Sequence, residues 1–101
     1  MRVLPQALSF QWDDGNINKN RSKHGIENEE AESAFLDGGK VLLKDVIHSA
    51  KEERFILLAT SQRKRLLFVV LTVRKGEIRI ISVRIVNKKE RTLYEKRTQT
   101  A

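Results

Sequence analysis

Residues Leu66, Leu67, Phe68, Val69, Val70, Leu71, Thr72 and Val73 form an unbroken apolar and β-branched run. A strand with one wet face alternates apolar and polar residues, whereas a run without alternation predicts a strand covered on both faces. Lys75 and Gly76 can turn the chain, and Ile78 to Ile85 carry it back, with Arg79 and Arg84 interrupting the alternation. Two such segments joined by a short turn predict a β-hairpin. Arg65, Arg74, Arg79 and Arg84 stand at its mouth and along its second strand. Guanidinium groups fixed to a buried strand are held in place, which is how a site for a bidentate anion such as a phosphate is built.

At 101 residues the chain has the length of one domain with a modest core, read here as a single unit over residues 1–101 with a loose leader over 1–9. The apolar fraction of 40% and charged fraction of 33% fit a folded chain rather than a disordered one. With no cysteine, neither a disulfide nor a thiolate zinc site can hold the fold. The first residues hold no apolar run of signal-peptide length, and nothing approaches the roughly 18 apolar residues of a membrane span, so a cytoplasmic, membrane-free protein is expected. Residues 1–53 carry 7 basic against 10 acidic side chains, and residues 54–101 carry 13 against 3, so the net charge of +7 arises wholly in the second half. Such polarity favours a polyanion, either nucleic acid or an acidic protein.

The remaining elements fit around the hairpin. Phe10, Gln11 and Trp12 alternate as a short strand, and Asp13, Asp14, Gly15 and Asn16 are turn chemistry. Ile17, Asn20, Arg21 and His24 recur at helical spacing before Gly25, a natural C′ residue. Asn28 can cap a second helix with Ala31, Ala34 and Phe35 inward, Glu27, Glu29, Glu30 and Glu32 near its positive end, and Gly38 and Gly39 after it. Val41 to Val46 reads as an edge strand or a packed loop, and Arg54 to Thr60 as a strand. Asn87, with Glu90 three residues on, makes a capping box for a last helix that touches the sheet through Leu93 and Tyr94. The expected fold is α+β: three to four antiparallel strands, two N-terminal helices and one C-terminal helix, with the helices on one face of the sheet.

Each candidate residue also has a plain structural explanation. Trp12 can be a core aromatic, His24 can stabilise a helix C-terminus, and a single strand arginine can be a surface charge. Two isolated histidines, His24 and His48, make no zinc site, so neither a metal nor a cofactor is expected. Glu53 and Arg54 are adjacent, so on a strand they face opposite ways. Four arginines on one hairpin suit RNA cleavage without a metal. The ribose 2′-hydroxyl attacks the neighbouring phosphate, and the protein supplies a base, stabilisation of the developing charge and a proton for the leaving oxygen. Arginines supply the charge, and His24, His48 or Glu53 would carry the proton. The rival expectations are a basic nucleic-acid-binding module without catalysis and a purely protein-binding partner. The last is favoured if the arginines are all paired to the chain's own carboxylates.

One resemblance runs from about Phe10 to Glu95. Trp12 and Asp13, then Asn20, Lys23, His24 and Gly25, then Glu30 and Ala31, then Glu52, Glu53 and Arg54 lead it. Arg65, Thr72, Arg74, Ile81, Ser82, Arg84, Glu90, Arg91 and Tyr94 complete it. In this order and spacing the chain resembles the BrnT toxins of bacterial type II toxin–antitoxin systems. The resemblance implies a RelE-like fold and a ribonuclease that arrests translation by cutting RNA. It also implies a hetero-oligomer with a BrnA-type antitoxin, whose DNA-binding part lets the complex repress its own operon. Carried over by position, the active-site residues are His24, Arg54, Arg65, Arg74, Arg79 and Arg84, with Lys23 and Glu53 behind them. Lys23, Lys88, Lys89 and Arg91 are the expected RNA contacts. The chain departs from the family pattern at Asp14 (commonly Pro), Asn16 (Lys), Lys64 (Gly) and Val83 (Ala).

Overall fold

A computed structural model describes residues 4–5, 7–17, 24–47 and 52–99 of the chain. The expected helix over 17–24, together with Lys23 and His48, lies outside the described residues apart from its two ends. The described residues form helix α1 (Asn28–Ala34), strands β1 (Val41–Lys44), β2 (Phe55–Thr60), β3 (Leu66–Arg74) and β4 (Glu77–Ile85), and helix α2 (Lys88–Gln99). The four strands make one antiparallel sheet in the order β1-β2-β3-β4, an α+β arrangement. The hairpin expected around Lys75 and Gly76 is present, with φ of 51° and 78° at the two turn residues. Positive φ at both central positions matches the right-handed twist of the flanking strands.

Cross-strand partners share a face of the sheet, so the register sorts every side chain. Leu57, Val69 and Val83 form one rung of the first face, and Phe55, Leu71 and Ile80 form the next. All six are buried. Ile26 and the α1 residues Ala31, Ala34 and Phe35 close over them, and Phe10 meets Phe35 edge to face at 5.2 Å. Trp12 packs against this core and donates its indole N–H to Glu32 at 2.6 Å, its core-aromatic role. The N-terminal segment expected as a strand makes a single parallel bridge, Phe10 with Ile78, on the outer edge of β4. Asn16 pins the turn after it: its amide donates to the carbonyls of Gln11 and Ile80, both at 3.0 Å.

Three local expectations change. Asn28 is the first residue of α1 rather than its cap; Glu27 precedes the helix without a side-chain bond to it. Glu30 is buried rather than a solvated first-turn acid, because Arg65 reaches across to it. The helices do not share one face. Thr60 and Phe68 lie on the second face, and α2 is tied there by Tyr94, whose hydroxyl lies 3.2 Å from Thr60 Oγ1, and by Glu90, which holds Arg84 beside Phe68. Tyr94 also donates to Asp37 Oδ2 at 2.6 Å. Burial raises Asp37, but hydrogen bonds from the Thr60 N–H, Tyr94 and the Gly39 N–H outweigh it and hold the carboxyl below its ordinary value. Asn87 and Glu90 do form the expected capping box, each accepting the other's backbone N–H at 2.9 Å. Among the described residues no helix is long and apolar enough to cross a membrane.

Candidate nucleic-acid-binding face

The second face of the sheet follows from the same register. One rung holds Thr72 with Arg79, the next Ile56, Val70 and Ser82, and the third Leu58, Phe68 and Arg84. An odd sequence separation on a regular strand puts two side chains on opposite faces, so Arg79 and Arg84 should diverge. They do not, because Val70 pairs with Ser82 while Leu71 pairs with Ile80, leaving Ile81 as an extra residue in β4. This β-bulge resets the alternation and brings both arginines to one face. Arg74 ends the same face of β3, and Arg54, preceding inward-facing Phe55, enters it from β2.

The centre of this face is open. Leu58 and Leu66 are buried at the α2 end, but Phe68 and Val70 are only half-buried, so β3 is not covered along both faces as its sequence suggests. A hollow of about 290 Å³ lies there, lined by Asp45, Arg54, Ile56, Phe68, Val70, Ile81 and Ser82. The Arg84 guanidinium stacks on the Phe68 ring, 3.9 Å from its centroid. Two residue rises separate adjacent rungs, so the Arg79 and Arg84 rungs stand roughly 13 Å apart with the hollow between them.

Three of the arginines on this face hold carboxylates. Arg84 grips Glu90 with two 2.8 Å bonds, Arg74 grips Glu52 with two of the same length, and Arg79 donates to Asp13 at 2.7 and 3.0 Å. Gly15 fits closely beside the last pair, a Cβ there falling 3.0 Å from Arg79 Nη2. In each pair the arginine's hydrogen bonds are the main reason the carboxyl lies below its ordinary pKa, and Arg74 and Arg84 are raised in turn. Bidentate pairing uses only part of a guanidinium's donor set, so each cation is oriented while retaining N–H groups.

Arg65 stands apart from this group. Its Nε donates to Glu30 Oε2 at 2.8 Å, its Nη2 donates to Glu30 Oε1, and the same Nη2 reaches the Gly25 carbonyl at 3.2 Å. Glu30 also accepts from Ser61 Oγ at 2.7 Å. Arg65 therefore ties the β2–β3 turn to α1, in the helix layer. His24 is exposed and adjoins Gly25, on the Arg65 side rather than at the hollow. Glu53 is exposed, with Lys44 at 3.9 Å, while its backbone carbonyl accepts from Thr72 at 2.7 Å. Lys88, Lys89 and Arg91 are exposed on α2, whose first turn adjoins Arg84 through Glu90.

The sequence reading missed Asp45, Phe68 and Ser82. Phe68 is concealed within a run that looks like continuous core, and Asp45 follows an edge strand with no motif of its own. The signal that could have found Ser82 is the broken alternation between Arg79 and Arg84.

No curated protein matches the chain. The family model described as "Ribonuclease toxin, BrnT, of type II toxin-antitoxin system" matches residues 12–90, which includes Arg54, Arg65, Arg74, Arg79, Arg84 and the capping box of α2. The chain therefore belongs to the BrnT family of type II toxin–antitoxin ribonuclease toxins.

Proposed function

We propose that this chain, within that family, cuts RNA by metal-independent transesterification on the open face of its sheet, arresting translation in the bacterial cytoplasm. We further infer a RelE-like fold and neutralisation by a BrnA-type antitoxin in a hetero-oligomer, with operator DNA reached only through the antitoxin. The observation that carries the catalytic reading is the bulge at Ile81, which brings Arg79 and Arg84 to the face that Arg54 and Arg74 already share, around a hollow. In the reaction the 2′-oxygen loses its proton to a base and bonds to phosphorus. The 5′-oxygen leaves with a proton from an acid, giving a 2′,3′-cyclic phosphate and a 5′-hydroxyl. Fixed guanidiniums stabilise the extra negative charge on the phosphoryl oxygens, where loss of one donor costs on the order of 10²-fold. Arg65 contributes through the fold, and Lys88, Lys89 and Arg91 extend the basic surface for the RNA backbone. The proton carriers are sought among His24, His48 and Glu53, which the sequence offers, and Asp45, which lines the hollow. Variants of these four are compared by pH–rate profile, and the carrier is the one whose loss removes a limb.

Arg84→Ala or Arg74→Ala should abolish growth arrest on expression while leaving thermal melting within a few degrees of the parent. If both variants remain fully toxic, the arginine site is wrong. A second reading is favoured by one observation: Arg65, Arg74, Arg79 and Arg84 all hold carboxylates of this chain. That is the pattern expected of a protein-binding scaffold. Incubation with RNA separates the readings, because a nuclease yields discrete fragments, a binder shifts intact RNA with strong salt dependence, and a scaffold does neither.

A further inference from the structure

The hollow between the arginine rungs differs chemically from the arginines themselves. Its floor is apolar and partly aromatic: Ile56, Val70 and Ile81 beside the ring of Phe68. Its polar lining is Asp45, Arg54 and Ser82, an acid and a base beside a hydroxyl-bearing residue, which offers both acceptors and donors to the edge of a ring. A phosphate gains nothing from an apolar floor, and an aliphatic ligand gains nothing from such a polar lining. At about 290 Å³ the space sits at the lower bound of the roughly 300–1,000 Å³ of ligand pockets, which suits one flat ring system rather than an extended ligand. Phe68 already stacks on one planar group, the Arg84 guanidinium. The bulge that brings Arg79 and Arg84 to this face also turns Ile81 and Ser82 into the hollow, so the cationic and apolar features share one structural origin.

From these features we infer that the hollow is a subsite for a single nucleobase of the RNA. The base is seated on the floor of Ile56, Phe68, Val70 and Ile81, with its edge read by Asp45, Arg54 and Ser82 and its phosphate lying toward the flanking arginines. Apolar and aromatic floors hold bases through their π-faces, and single-stranded RNA is commonly recognised by splayed, stacked bases. This inference rests on the ribonuclease reading for its substrate. It adds that the choice of cleavage position is made in the hollow, apart from the charge stabilisation supplied by the arginines.

The first test uses the unaltered chain and amide chemical shifts. Inorganic phosphate, 3′-GMP and 3′-UMP are titrated in parallel. Both nucleotides should shift the amides of Phe68, Val70, Ile81 and Ser82, and phosphate alone should leave these unmoved while shifting arginine-bearing positions. If nucleotides and phosphate perturb the same amides, the base is not seated in the hollow and the inference fails. The second test is Phe68→Leu, which keeps apolar bulk and removes the ring. Cleavage efficiency should fall about tenfold or more, with altered positional preference on an end-labelled RNA. Unchanged rate and cleavage positions in a folded Phe68→Leu variant would overturn the subsite while leaving the nuclease intact. Absence of cleavage by the parent protein would instead refute the ribonuclease reading, and the nucleotide titration would still decide the subsite.

Discussion

Replacing Arg65 with alanine separates a role in the fold from a role on the RNA-facing surface. Glu30 is 1% exposed and its carboxylate is satisfied by Arg65 and by the Ser61 hydroxyl. Removing one partner of a buried pair typically costs about 3–5 kcal/mol, because the remaining charge is stranded. Arg65 itself is about one-third exposed, which lowers the worth of the pair, and Ser61 still donates, so the lower end, about 3 kcal/mol, applies. For a domain near 100 residues that corresponds to a melting point lower by roughly 12 °C or more. The pH dependence carries an independent signature. In the parent, Arg65's hydrogen bonds hold Glu30 below its ordinary pKa against the opposing effect of burial. A depressed carboxyl binds fewer protons folded than unfolded, so its stabilisation is present above about pH 4.5 and fades as the pH falls further. In Arg65→Ala, burial dominates and the Glu30 pKa rises, so its contribution to stability increases as the pH falls toward about 4.5 and levels off below that, a window on the other side of the parent's. Urea unfolding midpoints at several pH values measure both effects. An Arg65→Ala protein that melts within a degree of the parent and keeps its acid profile would refute the assignment of Arg65 to the fold.

Other substitutions probe the frame around the hollow. Lys64 adopts φ 61°, the left-handed region where the family commonly has Gly, so Lys64→Gly should raise stability by about 1 kcal/mol in urea titration. Tyr94→Phe removes the hydroxyl shared by Asp37 and Thr60 and should cost about 1–2 kcal/mol, with faster amide exchange in α2. Asn16→Ala leaves the Gln11 and Ile80 carbonyls without its amide and should cost about 2 kcal/mol, exposing the N-terminal segment to proteolysis. If Arg74, Arg79 and Arg84 contact phosphates, each alanine variant should lower the slope of log binding constant against log salt by about 0.7 for single-stranded RNA.

The hairpin was legible because a continuous apolar run followed by a turn has few other solutions, and the capping box was legible because it is local. Two features were not. The bulge depends on where β4 slips against β3, which a strand's own residues do not specify once both faces carry apolar side chains. The pairing of Glu30 with Arg65 joins residues far apart in sequence, so Glu30 read as a helix-end charge and Arg65 as one of a set with Arg74, Arg79 and Arg84. The resemblance placed these arginines in one group by order along the chain. The sheet divides them by face, with Arg65 on the helix side and the others around the hollow.

End-group analysis of RNA incubated with the purified chain in excess chelator tests the catalytic proposal most directly. Fragments ending in 2′,3′-cyclic phosphate and 5′-hydroxyl, formed by the parent and lost in a folded Arg84→Ala variant, are the expected result. Intact RNA, fragments that require added divalent metal, or identical fragments from Arg84→Ala would contradict cleavage on this arginine-lined face.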